Sequence, residues 1–422
     1  MATHASSDIP SQIEQLAIAA RRAQKTLGAM PSEARAAALI LAAQALRDDH
    51  AAILAANERD FSAGTARGLS PAMLDRLKLD PQRLENIAAA VESVARLDDP
   101  VGEAIDTSQP ANGLKLSRVR VPIGTIGIIY ESRPNVTADA AALCVRAGNS
   151  VVLRGGSEAV YSNRAIHAAL TRGLAAGGVP AEAVQLIPTQ DREAVGVMLG
   201  AAGLIDMIIP RGGRSLVERV QADARVPVLA HLDGICHTYV HASADPEMAC
   251  AVALNAKMRR TGICGALETL LVDAEFAETE RLLGHLLGNG CELRGDARAQ
   301  AIDTRIRPAS ADDWGTEYLD SIASVAIVDG LGDAMAHIDR HSSHHTEAII
   351  AEDQAAAERF LREVDSAIVM HNASTQFADG GEFGLGAEIG IATGRLHARG
   401  PVALEGLTTY KWQVRGAGHA RP

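Results

Sequence analysis

The sequence predicts an α/β protein with parallel sheets. Short apolar runs such as IGTIGIIY, SVVLRGG and IDMIIPRGG alternate with helical stretches in the middle of the chain. Apolar strands separated by helices of this length are typical of βαβ units, whose strands are buried on both faces. Aromatic residues make up only 3% of the 422 residues. The elements must therefore pack on small side chains, which favours helices on a sheet over a β-sandwich.

The first hundred residues are predicted to be helical. Apolar residues recur every three to four positions from Ser11 to Met30 and again from Ser32 to Asp60, and Pro31 separates the two stretches. A third helical stretch runs from about Pro81 to Leu97.

The hydrophobic period changes between Thr107 and Pro122, where GLKLSRVRVP alternates apolar with charged residues. This pattern predicts a strand or hairpin with one solvated face, suited to pairing with the edge of another chain. The tail LTTYKWQVRGAG alternates again and predicts an edge strand. A second α/β sheet is predicted after His231, from the runs CHTYV, TLLVD, SVAIVD and EAIIAED. A domain boundary is therefore expected near residue 230.

Length, charge and cysteine content limit the classes of function. At about 150 residues per domain, the chain is long enough for two or three domains. Its net charge of −12 argues against a nucleic-acid partner. No apolar run is long enough to span a membrane, and MATHASSDIPSQIEQ lacks the features of a signal peptide. Five cysteines without a C-x-x-C pair predict reduced thiols, and together these features predict a cytoplasmic protein.

Two strand-to-helix turns, LRGGSE and IPRGGRS, each carry two glycines and an arginine. A glycine turn that leads into a helix N-terminus offers backbone N–H groups to an anion, and arginine adds bidentate contacts. The candidate residues are Arg154, Gly155, Gly156, Arg211, Gly212 and Gly213. Neither turn is a G-x-G-x-x-G motif, so tight turns without a ligand are the alternative.

Cys264 is the candidate nucleophile among the five cysteines. Small residues flank it in RRTGICGALETLLVD, and positive charge or a helix start there would favour the thiolate. The alternative is a buried cysteine that serves only for packing. The run HIDRHSSHHTE contains four histidines but neither H-E-x-x-H nor a cysteine at zinc spacing, so we expect no metal site.

Four long motifs occur in order along the chain: YESRPNVTADAAALCVRAGNSVVLRGGSEA, NAKMRRTGICGALETLLVD, HIDRHSSHHTEAII and FADGGEFGLGAEIGIATGRLHARGPVALEGLTTYKW. They resemble the gamma-glutamyl phosphate reductase family of the aldehyde dehydrogenase superfamily. The resemblance implies two Rossmann-like α/β domains and a protruding β-hairpin for oligomerisation. Residues 1–106 and 123–230 would form the NADP(H)-binding domain and residues 231–399 the catalytic domain. Residues 107–122 and 400–422 would form the oligomerisation hairpin and C-terminal strand.

The resemblance also implies roles for single residues. Cys264 corresponds to the superfamily nucleophile, and Asn135 to the asparagine that stabilises the oxyanion. Arg154 corresponds to the lysine that binds the adenosine ribose. Ser157 stands where NAD-specific relatives carry a glutamate, which favours NADP. Glu317 corresponds to the glutamate that orients the nicotinamide ribose.

Four further positions are weaker candidates. His231 stands roughly where hydrolytic aldehyde dehydrogenases carry the glutamate that activates water, and a phosphorylating enzyme needs no such base. Arg211 is a candidate for a phosphate or cofactor contact. Glu382 and Gly384, in the glycine-rich segment, are candidates for substrate binding, and an ordered loop without a ligand is the alternative.

The implied reaction is the NADPH-dependent reduction of L-glutamyl 5-phosphate to L-glutamate 5-semialdehyde and phosphate. It proceeds through a cysteine thioester and is the second step of proline biosynthesis from glutamate. The alternatives are a hydrolytic NAD(P)-dependent aldehyde dehydrogenase, a catalytically silent NADP-binding protein and a metal-binding protein that uses the histidine run. The implied partners are a second copy of the chain, in a dimer or tetramer, and glutamate 5-kinase.

Overall fold

The computed structural model describes residues 9–421. Residues 1–8 of the predicted segment 1–106, and Pro422 at the end of segment 400–422, lie outside the described part. The chain divides into two compact units. Unit 1 extends to Ala230 and also contains Leu385–Gly390 and the chain from Val402 onward, whereas unit 2 contains His231–Gly384 and Ile391–Pro401.

The helices alternate with strands over most of the chain. The α-helices are α1 (Ile9–Ala29), α2 (Ser32–Asp48), α3 (His50–Ala66), α4 (Pro71–Leu77), α5 (Pro81–Arg96), α6 (Asn135–Arg146), α7 (Val160–Ala176), α8 (Glu193–Gly200), α9 (Arg214–Asp223), α10 (Pro246–Met258), α11 (Thr279–Gly288), α12 (Ala297–Ile302), α13 (Leu331–His341) and α14 (Gln354–Glu363). Short 3₁₀ helices occupy Ala181–Ala183, Asp312–Gly315, Thr375–Phe377 and Glu405–Leu407. None of the described helices is both long and apolar enough to cross a membrane.

The strands are β1 (Ala104–Ser108), β2 (Lys115–Pro122), β3 (Thr125–Tyr130), β4 (Ser150–Gly155), β5 (Val184–Leu186), β6 (Met207–Arg211), β7 (Cys236–Val240), β8 (Leu267–Asp273), β9 (Glu292–Gly295), β10 (Arg307–Pro308), β11 (Ile322–Val328), β12 (Thr346–Ile350), β13 (Ile368–His371), β14 (Gly390–Ala392), β15 (Gly400–Val402) and β16 (Thr408–Arg415). Two parallel sheets have the strand orders β5-β4-β3-β6 and β10-β9-β11-β8-β7-β12-β13. The α/β prediction is confirmed.

Small residues allow the helices of unit 1 to pack closely. A Cβ at Gly173 on α7 would lie 2.4 Å from the Cα of Ala42 on α2, so the two helix backbones touch where neither has a bulky side chain. The predicted helix from Ser32 to Asp60 is wrong as one element, because it breaks at Asp49 between α2 and α3. The Asp49 carboxylate pairs there with Arg172 at 2.6 Å.

An antiparallel sheet of order β1-β2-β16 also belongs to unit 1. The predicted hairpin is present, and its first strand begins at Ala104, before the alternating sequence pattern starts. The tail pairs with β2, from Thr408 opposite Pro122 to Arg415 opposite Lys115. β1 and β16 are therefore the edge strands, and Tyr410, Trp412 and Val414 on β16 are exposed.

The seven-stranded sheet of unit 2 is buried on both faces. Leu270 and Val272 of β8 join one apolar cluster, while Leu271 between them joins the cluster on the opposite face. Tyr239 and Val240 of β7 divide in the same way. Successive side chains of a strand point to opposite faces of the sheet. Because both faces are buried here, these strands appear in the sequence as continuous apolar runs.

Candidate active site

Three segments of unit 2 converge at one edge of the seven-stranded sheet. His231 precedes β7, Cys264 precedes β8 and His345 precedes β12, and these strands are neighbours in the order β8-β7-β12. One ligand atom of each residue, the Cys264 sulphur and one ring nitrogen of each histidine, lies within 4.8 Å of the other two. Because parallel strands begin at the same edge of a sheet, residues distant in sequence meet there.

The backbone of Cys264 lies against Gly234. A Cβ at Gly234 would lie 2.1 Å from the Cys264 carbonyl oxygen and 2.5 Å from its Cα, so this approach requires glycine. The Gly234 N–H donates to Glu317 Oε1 at 3.0 Å. The Cys236 thiol donates to the Cys264 carbonyl oxygen at 3.1 Å, and burial raises the pKa of that thiol well above its usual range. Gly234, Glu317 and Cys236 therefore hold the backbone around Cys264.

Cys264 lies in a turn between α10 and β8. The expectation that a helix start would favour its thiolate is therefore wrong, since the preceding helix ends rather than begins near it. The Gln376 side chain holds this turn, because its Nε2 donates to Ala256 O at 2.9 Å and to Arg260 O at 3.2 Å. Arg259, one of the two cations expected near the sulphur, donates to Gln376 Oε1 at 3.3 Å.

The two histidines near Cys264 are held through their Nδ1 atoms. His231 Nδ1 lies 2.8 Å from the Ile391 carbonyl oxygen, which can only accept, so Nδ1 carries a proton. In the neutral ring, Nε2 then bears the lone pair. His345 is fully buried, and its Nδ1 lies 2.9 Å from Thr346 Oγ1. Burial, together with the neighbouring His231, lowers the pKa of His345 to about 3, so this ring is neutral near pH 7.

The other histidines of the run HIDRHSSHHTE lie elsewhere. The ring of His337 packs against those of His341 and His237, with centroids 4.6 and 5.5 Å apart. His344 Nδ1 lies 3.1 Å from the Asp365 carbonyl oxygen. Helix α13 ends at His341 and β12 begins at Thr346, so the run divides between a helix, a loop and the start of a strand.

In unit 1, Arg154 lies at the end of β4. Its Nη1 and Nη2 donate to Gly155 O and Gln190 O, each at 3.1 Å, whereas its buried Nε has no partner among the described residues. Burial lowers its pKa, and the nearby Arg192 and Arg219 lower it further. The carboxylates of Glu158 and Glu131 act in the opposite direction, and exposed Ser157 donates its hydroxyl to Glu158 Oε1 at 3.4 Å. A buried unpaired N–H donor on an arginine fits an anionic ligand.

The second glycine turn already holds an anion from the chain itself. The Gly213 N–H donates to Glu131 Oε2 at 3.0 Å, at the N-terminus of α9, whose N-cap residue is Gly213 itself. A Cβ at Gly212 would lie 2.4 Å from the same oxygen. The Glu131 carboxylate therefore occupies the position where the sequence predicted that free N–H groups would meet a ligand.

Asn135 is the first residue of α6, and its side chain is held by Asp139, one turn further along the same helix. Asn135 Nδ2 donates to Asp139 Oδ2 at 2.8 Å, which leaves the second N–H of the amide for another acceptor. Burial raises the pKa of Asp139 to about 6, although the Asn135 hydrogen bond and the charge of Arg211 act in the opposite direction.

Glu382 and Gly384 lie in an exposed segment without regular secondary structure. Gly384 has a φ of +73° and nothing within 4 Å of the position of a Cβ. Its conformation explains the glycine, and the substrate-binding role of both residues stays a prediction.

Sequence reasoning missed several residues around these sites. Gly234, Cys236 and His345 surround Cys264, while Glu131 and Asp139 position groups in unit 1. These residues stand in the segments AHLDGICH, HSSHHTE and YESRPNVTAD, which the motifs had already drawn attention to. However, a glycine that permits close backbone approach looks the same in a sequence as one in a loose turn.

Comparison with known proteins places the chain among established relatives. The aldehyde dehydrogenase family model matches residues 2–286. The gamma-glutamyl phosphate reductase of Novosphingobium aromaticivorans is 72% identical over 97% of this chain and 96% of its own length. The enzyme of the same name from Zymomonas mobilis is 60% identical over 96% of this chain and 95% of its own.

Solved structures agree with these sequence matches. The crystal structure of the gamma-glutamyl phosphate reductase of Thermotoga maritima superimposes with a TM-score of 0.95 at 42% identity, and the match covers 97% of this chain and 100% of that one. An acetylating aldehyde dehydrogenase of Geobacillus thermoglucosidasius has a TM-score of 0.68 at 17% identity, over 98% of each chain, and shows the shared fold alone. The chain therefore belongs to the gamma-glutamyl phosphate reductases of the aldehyde dehydrogenase family.

Proposed function

We propose that the chain reduces L-glutamyl 5-phosphate to L-glutamate 5-semialdehyde and phosphate, the second step of proline biosynthesis from glutamate, with NADPH as reductant. The names of its relatives support the reaction. One structural observation supports the covalent route. The Cys264 sulphur lies within 4.8 Å of two imidazole nitrogens, while Gly234 fixes its backbone.

In the first step, the Cys264 sulphur attacks the acyl carbon and the bond to phosphate breaks. His231 takes the thiol proton on Nε2, since its Nδ1 is committed to the Ile391 carbonyl oxygen. Phosphate is a good leaving group and needs little help from an acid. The backbone N–H of Cys264 stabilises the oxyanion, a contribution of about 3 kcal/mol, and the same role for the amide of Asn135 stays a prediction.

The second step releases the product from the enzyme. When bound, the nicotinamide cofactor supplies the hydride that reduces the thioester. The carbon–sulphur bond of the resulting thiohemiacetal then breaks, the aldehyde leaves, and His231 returns the proton to the Cys264 sulphur. No residue in this scheme activates water, as expected for an enzyme that transfers the acyl group between sulphur and phosphate.

We assign cofactor binding to unit 1, and contact of Glu317 with the nicotinamide ribose stays a prediction. Arg154, with Arg192 and Arg219 nearby, forms the positive patch that a 2′-phosphate requires. Exposed Ser157 adds no negative charge there. Glu158 and Glu131 act on Arg154 in the opposite direction, so the patch carries three positive and two negative groups. This balance supports NADP over NAD.

We propose that unit 2, which contains Cys264, is the catalytic domain. We also propose that the sheet β1-β2-β16 joins copies of the chain in a dimer or tetramer, because Tyr410, Trp412 and Val414 on it are exposed. Cytoplasmic location and association with glutamate 5-kinase stay predictions. Sedimentation of Trp412→Glu beside the wild type tests the assembly, and an unchanged oligomeric state would exclude this surface.

The reaction is tested in reverse. Glutamate 5-semialdehyde should reduce NADP+, followed by absorbance, in the presence of inorganic phosphate and not in its absence. Reduction without phosphate would instead identify a hydrolytic aldehyde dehydrogenase.

Cys264→Ala should abolish turnover and retain NADPH binding, measured by cofactor fluorescence, whereas Cys250→Ala on α10 should keep both. Substantial turnover by Cys264→Ala would exclude the thioester route.

A further inference from the structure

A buried ion pair joins the two ends of the turn that carries Cys264. Lys257 is the second-last residue of α10, and Glu268 is the second residue of β8. The Lys257 Nζ donates to Glu268 Oε2 at 2.6 Å, and both side chains are fully buried. Residues 258–267 between them, which we call the Cys264 loop, therefore begin and end at a fixed separation.

Packing alone does not explain an ion pair at this place. The same faces of α10 and β8 otherwise carry apolar residues, among them Ala253 and Leu270. Taking two charges out of water costs about as much free energy as their attraction returns, and an apolar pair of similar volume is often more stable. Glu268 Oε1 is buried and has no hydrogen-bond partner among the described residues. The pair is therefore poorly suited to stabilising the fold, whereas its short, directional hydrogen bond fixes a distance.

The Glu268 carboxyl group also lies close to the segment before β11. Burial raises its pKa to about 7, against the charge and hydrogen bond of Lys257. The Tyr318 backbone N–H lowers this pKa as well, and the charge of Glu317 raises it. Glu317 Oε1 in turn accepts from the Gly234 N–H, and Gly234 packs against the backbone in the middle of the loop. The base and the middle of the Cys264 loop are therefore held against the same segment.

We propose that Lys257 and Glu268 are positioning residues for Cys264. Neither side chain is exposed to a substrate, and both act by fixing the Cys264 loop and so the place of its sulphur. The side-chain hydrogen bonds of Gln376 all end on the α10 side of the loop, so they do not set its distance from β8. The fixed loop stands on these contacts, and only its effect on turnover rests on the proposed function.

Two variants remove the pair without leaving a buried unpaired charge. In Lys257→Met, the pKa of Glu268 rises above 7, because burial is no longer opposed by the ammonium group, and the carboxyl group is neutral at pH 7. In Lys257→Met/Glu268→Leu, both polar groups are replaced by apolar side chains. We expect this double variant to be at least as resistant to urea as the wild type.

Reactivity of the sulphur and turnover are then measured on the full chain. In both variants, alkylation of Cys264 by iodoacetamide, followed by mass spectrometry without substrates, should become several-fold faster, since a loop released from β8 opens more often. The kcat of the phosphate-dependent reaction should fall on the order of 100-fold, the effect of a shift of about 1 Å at the reacting atoms. NADPH binding, which we assign to unit 1, should be retained.

The double variant Glu247→Gln/Arg281→Gln is the matched control. It removes an exposed ion pair between α10 and α11, at the opposite end of α10 from the Cys264 loop. Alkylation and kcat should both stay at wild-type values.

The outcomes separate a positioning role from a structural one. If Lys257→Met/Glu268→Leu is as stable as the wild type and retains wild-type alkylation and kcat, the pair serves packing alone and the proposal is overturned. A fall in kcat that only accompanies lost stability, and that the double variant restores, would overturn it as well. Faster alkylation with unchanged kcat would support the fixed loop and exclude the nucleophilic role of Cys264. Faster alkylation with lower kcat would support both.

Discussion

Replacing Gly234 by alanine tests whether the backbone of Cys264 is held in place. The new Cβ would lie 2.1 Å from the Cys264 carbonyl oxygen, where ordinary contact begins at 3.4 Å, so the two segments must separate by about 1.3 Å. Overpacking of this kind costs roughly 1–3 kcal/mol. A displacement of about 1 Å at the reacting atoms costs on the order of 100-fold in rate.

We therefore expect Gly234→Ala to lower kcat of the phosphate-dependent reaction about 100-fold and the free energy of unfolding by roughly 1–3 kcal/mol. The first is measured by cofactor absorbance and the second by urea unfolding. The rate of Cys264 alkylation, followed by mass spectrometry, should change as well, because it reports on the sulphur without requiring turnover.

Gly262→Ala provides a matched control. Gly262 lies two positions before Cys264 in the same turn, and nothing lies within 4 Å of the position of its Cβ. This variant should retain most of the activity and stability. If Gly234→Ala retains wild-type kcat, or if both variants lose activity equally, close approach of Gly234 does not position Cys264.

Two other predictions concern unit 1. Ser157→Glu should shift the NADP/NAD preference towards NAD by about tenfold, since a repulsion of about 1.4 kcal/mol with the 2′-phosphate suffices. Steady-state kinetics with both cofactors measures the ratio, and Ser157→Gln controls for size. The raised pKa of Asp139, about 6 against an ordinary 3.8, means that its contribution to stability is present below pH 3.8 and is lost as the pH rises through 6. The loss amounts to up to about 3 kcal/mol at pH 7. Asp139→Asn should therefore flatten the dependence of unfolding free energy on pH, measured by urea unfolding.

Each of these two predictions has a result that contradicts it. An unchanged cofactor ratio in Ser157→Glu would mean that this side chain does not face the ribose. If Asp139→Asn shows the same slope of stability against pH as the wild type, the carboxyl group does not titrate as a buried acid. The neighbouring Asn135 would then be held by an ordinary surface carboxylate.

Local patterns in the sequence predicted most of the elements and Cys264. A two-residue period and apolar runs identify buried strands, and the start of α5 follows from the Asp80-Pro81 pair, because the Asp80 side chain caps the helix at Arg83 N. The break at Asp49 was not predictable, because Ala-rich helical periodicity continues through it. At that break the Asp49 carboxylate pairs with Arg172, which lies far along the chain.

The sequence by itself determined the class of fold and the alternation of strands and helices along the chain, and it singled out Cys264 as the candidate nucleophile, because these depend on periodicity and on motifs of neighbouring residues. The tertiary structure alone decided which groups surround that cysteine. His345 and His341 are four positions apart, yet of the two His345 lies near Cys264, since it directly precedes β12, which pairs with β7, and β7 pairs in turn with β8. Strand order in a parallel sheet is a long-range property, and it brings together side chains that no spacing in the sequence relates.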